Sequence, residues 1–461
     1  MHMASRRPQP PRITRTQDSS FLRVEKESSP DDHGATRGRV IAKYLVETPL
    51  SLEQAAEAMA GASTATFVDV PGLMDDLRHR VATKIVRITP GESVETPGLP
   101  GWRGNNGEPP RFRRGIIELA FPLEGFGTNL PVLISMTMGN FYALRQLSGI
   151  RLLDLEFPRA FADAYPGPQF GSKGTRQLAG VAQGPLIGTI VKPNLGLSPE
   201  ETAEKVRQVA EAGVDFIKDD EVMANPPHSP LSRRVQAVMR VINEHADRTG
   251  KKVMYAFNIS DELDAMLRHH DLVVKAGGTC VMVSIISVGY MGVLALRRRC
   301  QLPIHAHRNG WDMMTRCPQL GVEFTAWQKI WRLIGVDHLH VNGLGNKFWE
   351  SDDSVVASAQ AVRTPLLGGF EVMPVIGSGQ WAGQAPETLA RVGTQDLIYL
   401  AGGGIFGHPG GPAAGVASIR QAWEAAASNV PLETCALTHA ELRQALETFG
   451  QLRNQESSWQ R

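Results

Sequence analysis

The chain has little of what marks several large classes of protein. Its cysteines are few and far apart, with no Cys-x-x-Cys pair, at positions 280, 300, 317 and 435. That spacing argues against a zinc site and against a disulfide framework. No apolar run approaches the ~18 residues of a membrane span. The net charge is only +1, so it indicates neither nucleic acid nor a membrane as a partner. We therefore expect a cytoplasmic protein.

The length and composition are those of a globular protein with two domains. The chain has 461 residues, of which 42% are hydrophobic and 21% charged. Residues 1–34 are rich in Arg, Ser, Pro and Asp and lack the apolar core of a signal peptide. We predict that they form a flexible tail.

Residues 35–165 mix strand-like and helical segments. The stretch "SLEQAAEAMAG" (51–61) has the apolar period of a helix. The segments typical of strands are "RVIAKYLVE" (39–47), "TATFVDV" (64–70), "ATKIVRI" (82–88), "GIIELAFP" (115–122) and "PVLISMTM" (131–138). This mixture predicts a small α+β sandwich of about four strands.

Residues 166–430 follow a regular pattern, in which short apolar strands alternate with helices. The candidate strands are "PLIGTIVKP", "VDFIKDDE", "KVMYAFNIS", "CVMVSII", "LPIHAHR", "HLHVNG", "EVMPVIGSG" and "DLIYLAGGG". Their number and even spacing favour a closed (β/α)₈ barrel, a TIM barrel, over an open doubly wound sheet. Residues 431–461 are expected to form a C-terminal helical extension.

The candidate strands end in polar residues, and in a barrel these ends meet at the mouth where active sites lie. The polar ends are Lys192, the run Lys218-Asp219-Asp220-Glu221, Asn258, Ser284, His305, His307, Arg308, His338, His340, Ser378 and Gly402–Gly404. The sequence therefore predicts one site built from many strands.

The run at 218–221 has the chemistry of a metal site. Asp220 and Glu221 are hard oxygen ligands that, with a third oxygen, suit Mg²⁺. Lys218 would repel a metal unless CO₂ converts its amine to a carbamate, which needs a lowered pKa. The alternative is a surface turn whose charges are simply solvated.

Two histidine pairs follow strands five and six, in "IHAHRNG" (304–310) and "DHLHVNG" (337–343). One member of each pair, His305 and His338, is expected to point into the barrel as a core residue. A zinc site with an aspartate is a rival interpretation, but the carboxylates suit Mg²⁺ better.

The last two strands end in glycine-rich loops, "VIGSGQWAG" (375–383) and "AGGGIFGHPGGPAAG" (401–415). In barrels, phosphate commonly binds after strands seven and eight, although these glycines could also be plain turn residues. Lys347 lies in a loop flanked by glycine and could close over a substrate, or could be a solvated lysine. Lys192 could act as a base. Together these groups indicate Mg²⁺-dependent chemistry on a phosphorylated keto-sugar, through a metal-stabilised enediolate.

The motifs resemble those of the ribulose-bisphosphate carboxylase (RuBisCO) superfamily over about residues 38–430. The resemblance rests on "GVDFIKDDE", "STATF", "MGNF", "GTIVKPNLGL", "HAHR", "DHLHVNG", Asn346-Lys347, "GSG" and "AGGGIFGHP", in the same order. It implies a ferredoxin-like N-terminal domain, a (β/α)₈ catalytic domain and a homodimer with sites at the subunit interface.

The resemblance also implies roles for particular residues. Lys218 would be the carbamylated lysine, and Asp220 and Glu221 would complete the Mg²⁺ site. Lys192 would be the base and Lys347 the mobile-loop lysine. The residues implied in binding substrate or phosphate are His307, Arg308, His340, Ser378, Gly379, Gly402, Gly403 and, from the partner subunit, Asn140 and Thr66.

Several positions depart from the carboxylases. Asn194 stands where they have a second lysine, and Gly61 stands where they have an acidic residue. Gly377 replaces a phosphate-loop serine, and Trp311 replaces a histidine. The chain is therefore identified as a RuBisCO-like protein that does not fix CO₂.

Among RuBisCO-like reactions, the resemblance favours decarboxylation of 3-oxo-isoapionate 4-phosphate, or its hydrolytic cleavage, in carbohydrate catabolism. The alternatives are a 2,3-diketo-5-methylthiopentyl-1-phosphate enolase and a 5-methylthioribulose-1-phosphate isomerase. A non-catalytic regulatory relative and an unrelated metal-dependent aldolase are rivals of other classes.

Overall fold

The computed structural model describes residues 38–63, 80–99 and 111–459, with side chains described as far as residue 451. The expected tail and the predicted strand at 64–70, which contains Thr66, lie outside the described residues. Within these residues, no helix is both long enough and apolar enough to cross a membrane.

An antiparallel sheet forms the described part of the N-terminal domain, with helices in its connections. Its elements are β1 (Arg39–Thr48), α1 (Leu52–Ser63), β2 (Lys84–Val94), β3 (Phe112–Pro122), α2 (Leu130–Met138) and β4 (Gly149–Glu156). The strand order β4-β1-β3-β2 is that of a ferredoxin-like fold, as predicted. A short strand from the second domain, β10 (Leu320–Val322), pairs in parallel with β4 and extends the sheet.

The prediction of a strand at 131–138 was wrong, because this segment is helix α2. The Asn129 side chain caps the helix by accepting a hydrogen bond from the Val132 amide at 3.1 Å. Pro131 fits the first turn, where its missing N–H costs nothing. Strand β4, which pairs with β1, is the element that the strand prediction missed.

The second domain is a closed parallel barrel of eight strands, which confirms the predicted fold class. The barrel strands are β5 (Leu186–Ile190), β6 (Phe216–Lys218), β7 (Met254–Asn258), β8 (Cys280–Ser284), β9 (Ile304–His307), β11 (His338–His340), β12 (Met373–Ile376) and β13 (Ile398–Leu400). Pairing of β13 with β5 closes the ring, which an open sheet would leave unpaired.

Helices connect these strands and continue after the last one. In chain order they are α3 (Ala160–Ala164), α4 (Gly171–Ala179), α5 (Pro199–Glu211), α6 (Leu231–Thr249), α7 (Leu263–Lys275), α8 (Ile285–Arg299), α9 (Asp312–Thr315), α10 (Phe324–Ile334), α11 (Asp352–Arg363), α12 (Ala385–Val392), α13 (Gly403–Phe406), α14 (Gly411–Ala427), α15 (Leu432–Ala436) and α16 (Ala440–Trp459). Short 3₁₀ turns occupy Leu123–Gly125, Asn140–Ala143 and Ala382–Gln384.

At the end of the barrel opposite the mouth, the Asp337 side chain forms hydrogen bonds with three separate segments of the chain. Its carboxylate accepts hydrogen bonds from the amides of Phe170, Gly171 and Ile304 at 2.6, 3.0 and 2.9 Å. The buried Arg297 guanidinium donates a fourth bond at 2.8 Å. A buried charge is tolerated here because every oxygen has donors.

The barrel interior contains His305 and His338, both fully buried, as the sequence analysis expected. Their rings lie 5.2 and 5.8 Å from the Phe216 ring. Burial lowers the pKa of His338 to about 3 and that of His305 well below its usual range. Both rings are therefore neutral core groups at pH 7.

Candidate active site

Lys218 is the last residue of β6 and is buried at the mouth of the barrel, with 1% of its surface exposed. Its ammonium donates hydrogen bonds to the Asp219 carbonyl at 3.0 Å and to Glu221 Oε2 at 3.3 Å. Burial lowers the pKa of Lys218, and the carboxylates of Glu221 and Asp220 offset that effect only in part. The burial of this lysine argues against a solvated surface turn.

The two candidate metal ligands lie close to nitrogen-bearing side chains from neighbouring strands. The Lys192 ammonium lies 3.0 Å from Asp220 Oδ2. His307 Nε2 lies 3.5 Å from Glu221 Oε2. Although burial acts to raise the pKa of Glu221, Lys218 and His307 hold it well below its usual range. The structure thus brings together the candidate residues of β5, β6 and β9.

Asp219, the middle carboxylate of the run, points away from this cluster. It accepts hydrogen bonds from Tyr255 Oη at 2.6 Å, from the Asn258 amide at 2.9 Å and from Arg234 at 3.2 Å. The side-chain amide of Asn258 also donates hydrogen bonds through Nδ2 to the backbone carbonyls of Asp220 and Glu221, at 3.1 and 3.0 Å. Asp219 and Asn258 therefore fix the backbone that carries the two ligands, a role that sequence analysis missed.

His307 and His340 face each other across the mouth, with ring centroids 4.8 Å apart. Burial and the nearby Lys218 ammonium lower the pKa of His307 to about 4. Burial also lowers the pKa of His340 well below its usual range. Both rings can therefore donate or accept hydrogen bonds as neutral groups at pH 7.

Because Gly377 has no side chain, the His340 ring can occupy the space beside it. A Cβ atom at this glycine would lie 2.7 Å from Cε1 and 2.9 Å from Nε2 of the imidazole, closer than atoms can approach. The departure from serine at this position therefore has a structural reason. The next residue, Ser378, has a left-handed backbone with φ of 71° and donates to Asn342 Oδ1 at 2.8 Å.

Arg308 is buried and forms an ion pair with Glu350, which is also buried. Asn342 Nδ2 donates to the same carboxylate oxygen, Glu350 Oε2, at 2.6 Å. Ser378 donates to Asn342, so Arg308 after β9 and Ser378 after β12 belong to one hydrogen-bond network. Sequence analysis missed Glu350.

The glycine-rich loops lie beside the two candidate lysines. The Cβ position of Gly402 is 3.6 Å from Lys192 Cε, and that of Gly379 is 4.0 Å from the Lys347 amide nitrogen. Gly403 has free space around its Cβ position. The Lys347 side chain is exposed, with its ammonium 5.3 Å from the Phe348 ring centre.

Asn140 does not join the barrel-mouth cluster within one chain. It begins the 3₁₀ turn of the N-terminal domain and lines a cavity of ≈ 380 Å³ with Ser63, Ser135 and Phe141. All the lining residues of that cavity belong to the N-terminal domain. That Asn140 contributes to the active site of a partner subunit therefore stays a prediction.

The oxygen donors at the barrel mouth fit Mg²⁺ only if Lys218 contributes a further oxygen ligand. Among the residues that the structure describes, no three His, Cys, Asp or Glu side chains are grouped so as to hold a metal. Asp220 and Glu221 supply hard oxygen donors, and Lys218 contacts Glu221 directly. A carbamate at Lys218 would add the missing oxygen ligand, and burial favours the neutral amine that CO₂ addition requires.

Fold and site together define a two-domain barrel protein with a lysine–carboxylate cluster at its mouth. Comparison with known families gives the same result. Residues 171–449 match the family described as "Ribulose bisphosphate carboxylase large chain, catalytic domain", and residues 31–161 match the corresponding N-terminal domain. The chain therefore belongs to the ribulose bisphosphate carboxylase large-chain family.

Its relatives include RuBisCO-like enzymes. A protein of Rhizobium etli named 3-oxo-isoapionate-4-phosphate decarboxylase is 49% identical over 88% of this chain and 97% of its own. A protein of Xanthobacter autotrophicus named 3-oxo-isoapionate-4-phosphate transcarboxylase/hydrolase is 50% identical over 88% of this chain and 98% of its own. The crystal structure of a RuBisCO-like protein from Burkholderia fungorum is 46% identical, with a TM-score of 0.84, over 89% of this chain and 100% of that one.

Proposed function

We propose that this protein is a decarboxylase of 3-oxo-isoapionate 4-phosphate. The observation that carries the proposal is the 49% identity to an enzyme of that name along nearly the whole length of both chains. The buried Lys218 with Asp220 and Glu221 supports an enzyme over a regulatory relative. Lys218 and Asp220 are buried and Glu221 is partly exposed, and burying charges in this way costs stability unless they serve a ligand.

The proposed cofactor is Mg²⁺, held by Asp220, Glu221 and a carbamate formed from Lys218 and CO₂. When bound, the ion would stabilise negative charge that develops on substrate oxygens. The Lys192 ammonium, which lies against Asp220, would have to yield that carboxylate and turn towards the substrate. Its 40% exposed side chain leaves room for this movement.

The chain's own residues would bind the single phosphate and cover the site. The backbone N–H groups of Gly402, which lies beside Lys192, and of Gly403 would bind the phosphate together with Ser378 and Gly379, which follow β12. The exposed Lys347 would close over the bound substrate and exclude water. The neutral His307 and His340 would hydrogen-bond the hydroxyl groups, since uncharged rings both donate and accept.

The reaction itself follows from the position of the keto group. The substrate is a 3-oxo acid, so its keto group lies two carbons from the carboxylate carbon. The bond between the carboxylate carbon and its neighbour breaks, CO₂ leaves, and the electron pair passes to the keto oxygen. A proton from Lys192 or Lys347 then reaches the carbon that lost the carboxylate, and the product is a phosphorylated ketone.

A homodimer is proposed on the same resemblance. In that assembly Asn140 would reach the barrel mouth of the partner chain, which its position outside the mouth of its own chain allows. We also propose that the protein is cytoplasmic.

Hydrolytic cleavage of the same substrate is the second candidate, because the relative named transcarboxylase/hydrolase is 50% identical over a similar length. Both reactions break a carbon–carbon bond that the same keto group activates. They differ in whether the cleaved fragment leaves as CO₂ or as an acid.

The test is a steady-state comparison of substrates with Mg²⁺ and bicarbonate present. We expect kcat/KM for 3-oxo-isoapionate 4-phosphate to exceed by about 10²-fold or more that for ribulose 1,5-bisphosphate or either methylthio-sugar phosphate. Turnover of a methylthio compound alone would move the protein to sulfur salvage. Absence of turnover with every compound would favour the regulatory relative.

A further inference from the structure

Arg308 and Glu350 form an ion pair that is buried at the mouth of the barrel. The two side chains are 5% and 4% exposed. Glu350 is held in place by the Ser354 hydroxyl, which donates to Oε1 at 2.8 Å, and by Asn342, which donates to Oε2. The carboxylate is therefore fixed by its surroundings and not only by the arginine.

Arg308 also keeps one donor without a partner. Its guanidinium packs 4.9 Å from the Phe324 ring centre, and NH2 binds Glu350. The other terminal nitrogen, NH1, is buried and has no hydrogen-bond partner among the described residues. A buried N–H group of this kind is costly unless a ligand satisfies it.

The charge balance decides which ligand that can be. Arg308 alone would attract a phosphate through two parallel hydrogen bonds. With Glu350 in place the pair is neutral, and a phosphate dianion would lie beside a fixed carboxylate from which water is excluded. A neutral hydroxyl or carbonyl oxygen can accept from NH1 without that repulsion.

We propose that Glu350 is a specificity-determining residue that closes the Arg308 side of the site to a second phosphate. The site then takes sugar monophosphates, with an uncharged oxygen-bearing end at Arg308. The inference rests on the proposed function in one respect, since it takes the substrate to carry a single phosphate. It goes beyond that function by assigning the selection to one residue.

The test measures binding and not turnover. The affinities of unreactive xylitol 1,5-bisphosphate and xylitol 5-phosphate are measured by calorimetry on the full chain with Mg²⁺. For the unmodified protein we expect the bisphosphate to bind no more tightly than the monophosphate, because its second phosphate meets the Glu350 carboxylate. In Glu350→Gln, which keeps the size and one acceptor oxygen, we expect the bisphosphate alone to bind about tenfold tighter or more.

Two control variants separate this effect from general charge. Asp353→Asn removes an exposed carboxylate nearby and should leave both affinities unchanged. Arg308→Gln combined with Glu350→Gln should abolish the gain, since the freed arginine is its cause. A folded Glu350→Gln protein with no gain would overturn the proposal.

If Glu350→Gln does not fold, the affinities of the unmodified protein for the two ligands still test the proposal. A tenfold preference of that protein for the bisphosphate would overturn the proposal by itself, whereas equal or weaker binding of the bisphosphate supports it. Because no turnover is measured, failure of 3-oxo-isoapionate 4-phosphate as a substrate would remove the proposed function and leave this result standing.

Discussion

The ammonium of Lys192 lies 3.0 Å from Oδ2 of Asp220, so the end of β5 neutralises a carboxylate that follows β6. This pair joins the group proposed to move protons to a group proposed to bind Mg²⁺. The two roles can be separated, because removing the lysine leaves both carboxylates and Lys218 in place.

Lys192→Met should therefore lower turnover and spare the metal site. We expect kcat to fall by about 10²–10⁴-fold, the usual contribution of a positioned acid or base. Mg²⁺ should bind at least as tightly, because Asp220 loses a competing cation. Activity and Mg²⁺ titrations check both expectations. Loss of Mg²⁺ binding in parallel with activity would make Lys192 a structural part of the metal site instead.

Lys218→Ala should abolish Mg²⁺-dependent activity without unfolding the protein. The residue supplies the third oxygen ligand only as a carbamate, and alanine cannot form one. With ¹³CO₂, the unmodified protein should give a carbamate carbon resonance that the variant lacks, while Lys192→Met keeps it. Full activity of Lys218→Ala would remove the carbamate from the account.

Lys347→Ala should separate turnover from stability. The side chain is exposed, so the free energy of unfolding should change by no more than about 0.5 kcal/mol. The rate should fall by about 10²-fold or more if the ammonium covers the charged substrate. Thermal melting and kcat measured on the same preparation check this. If kcat falls only as far as the loss of folded protein explains, Lys347 has a structural role.

Gly377→Ala should displace His340 and impair catalysis. The added methyl group would lie 2.7 Å from the imidazole, so the ring must leave the position beside His307. We expect kcat/KM to fall by about tenfold or more. Gly369→Ala is the matched control, because its Cβ position has nothing within 4 Å. Equal activity of the two variants would show that His340 tolerates displacement.

Asp337→Ala should destabilise the barrel far from the active site. Arg297 would keep its buried charge without the carboxylate, and three backbone amides would lose their acceptor. We expect a loss of about 3–5 kcal/mol, visible as a lower urea midpoint. Asp353→Asn, an exposed carboxylate, should change the midpoint little. A small effect of Asp337→Ala would mean that water replaces the carboxylate.

The fold could be predicted largely because each barrel strand is a short apolar run followed by polar residues. Phe216 and Ile217 are fully buried, and Lys218 follows them directly at the mouth. That alternation is a local property of the sequence. The segment 131–138 misled because Ser135 and Thr137 alternate with apolar residues as they would in a strand, and only Asn129 and Pro131 signal the helix.

The site could be predicted in part, for a related reason. Residues at the ends of parallel strands must meet, so Lys192, Lys218 and His307 could be grouped in advance. Glu350 could not, because its contact with Arg308 spans 42 residues and depends on the path of a loop. Asp219 could not be told from Asp220 either, since the direction of each carboxylate depends on Arg234 and Tyr255.

The most direct test of the proposed function follows the carboxylate carbon. The purified protein, with Mg²⁺ and bicarbonate, receives 3-oxo-isoapionate 4-phosphate labelled with ¹³C at the carboxylate, and NMR follows the label. The account predicts that the label appears as CO₂ and bicarbonate, together with one unlabelled phosphorylated ketone. Label in an acid fragment would contradict decarboxylation and establish hydrolysis, and label left in unchanged substrate would contradict the proposed function.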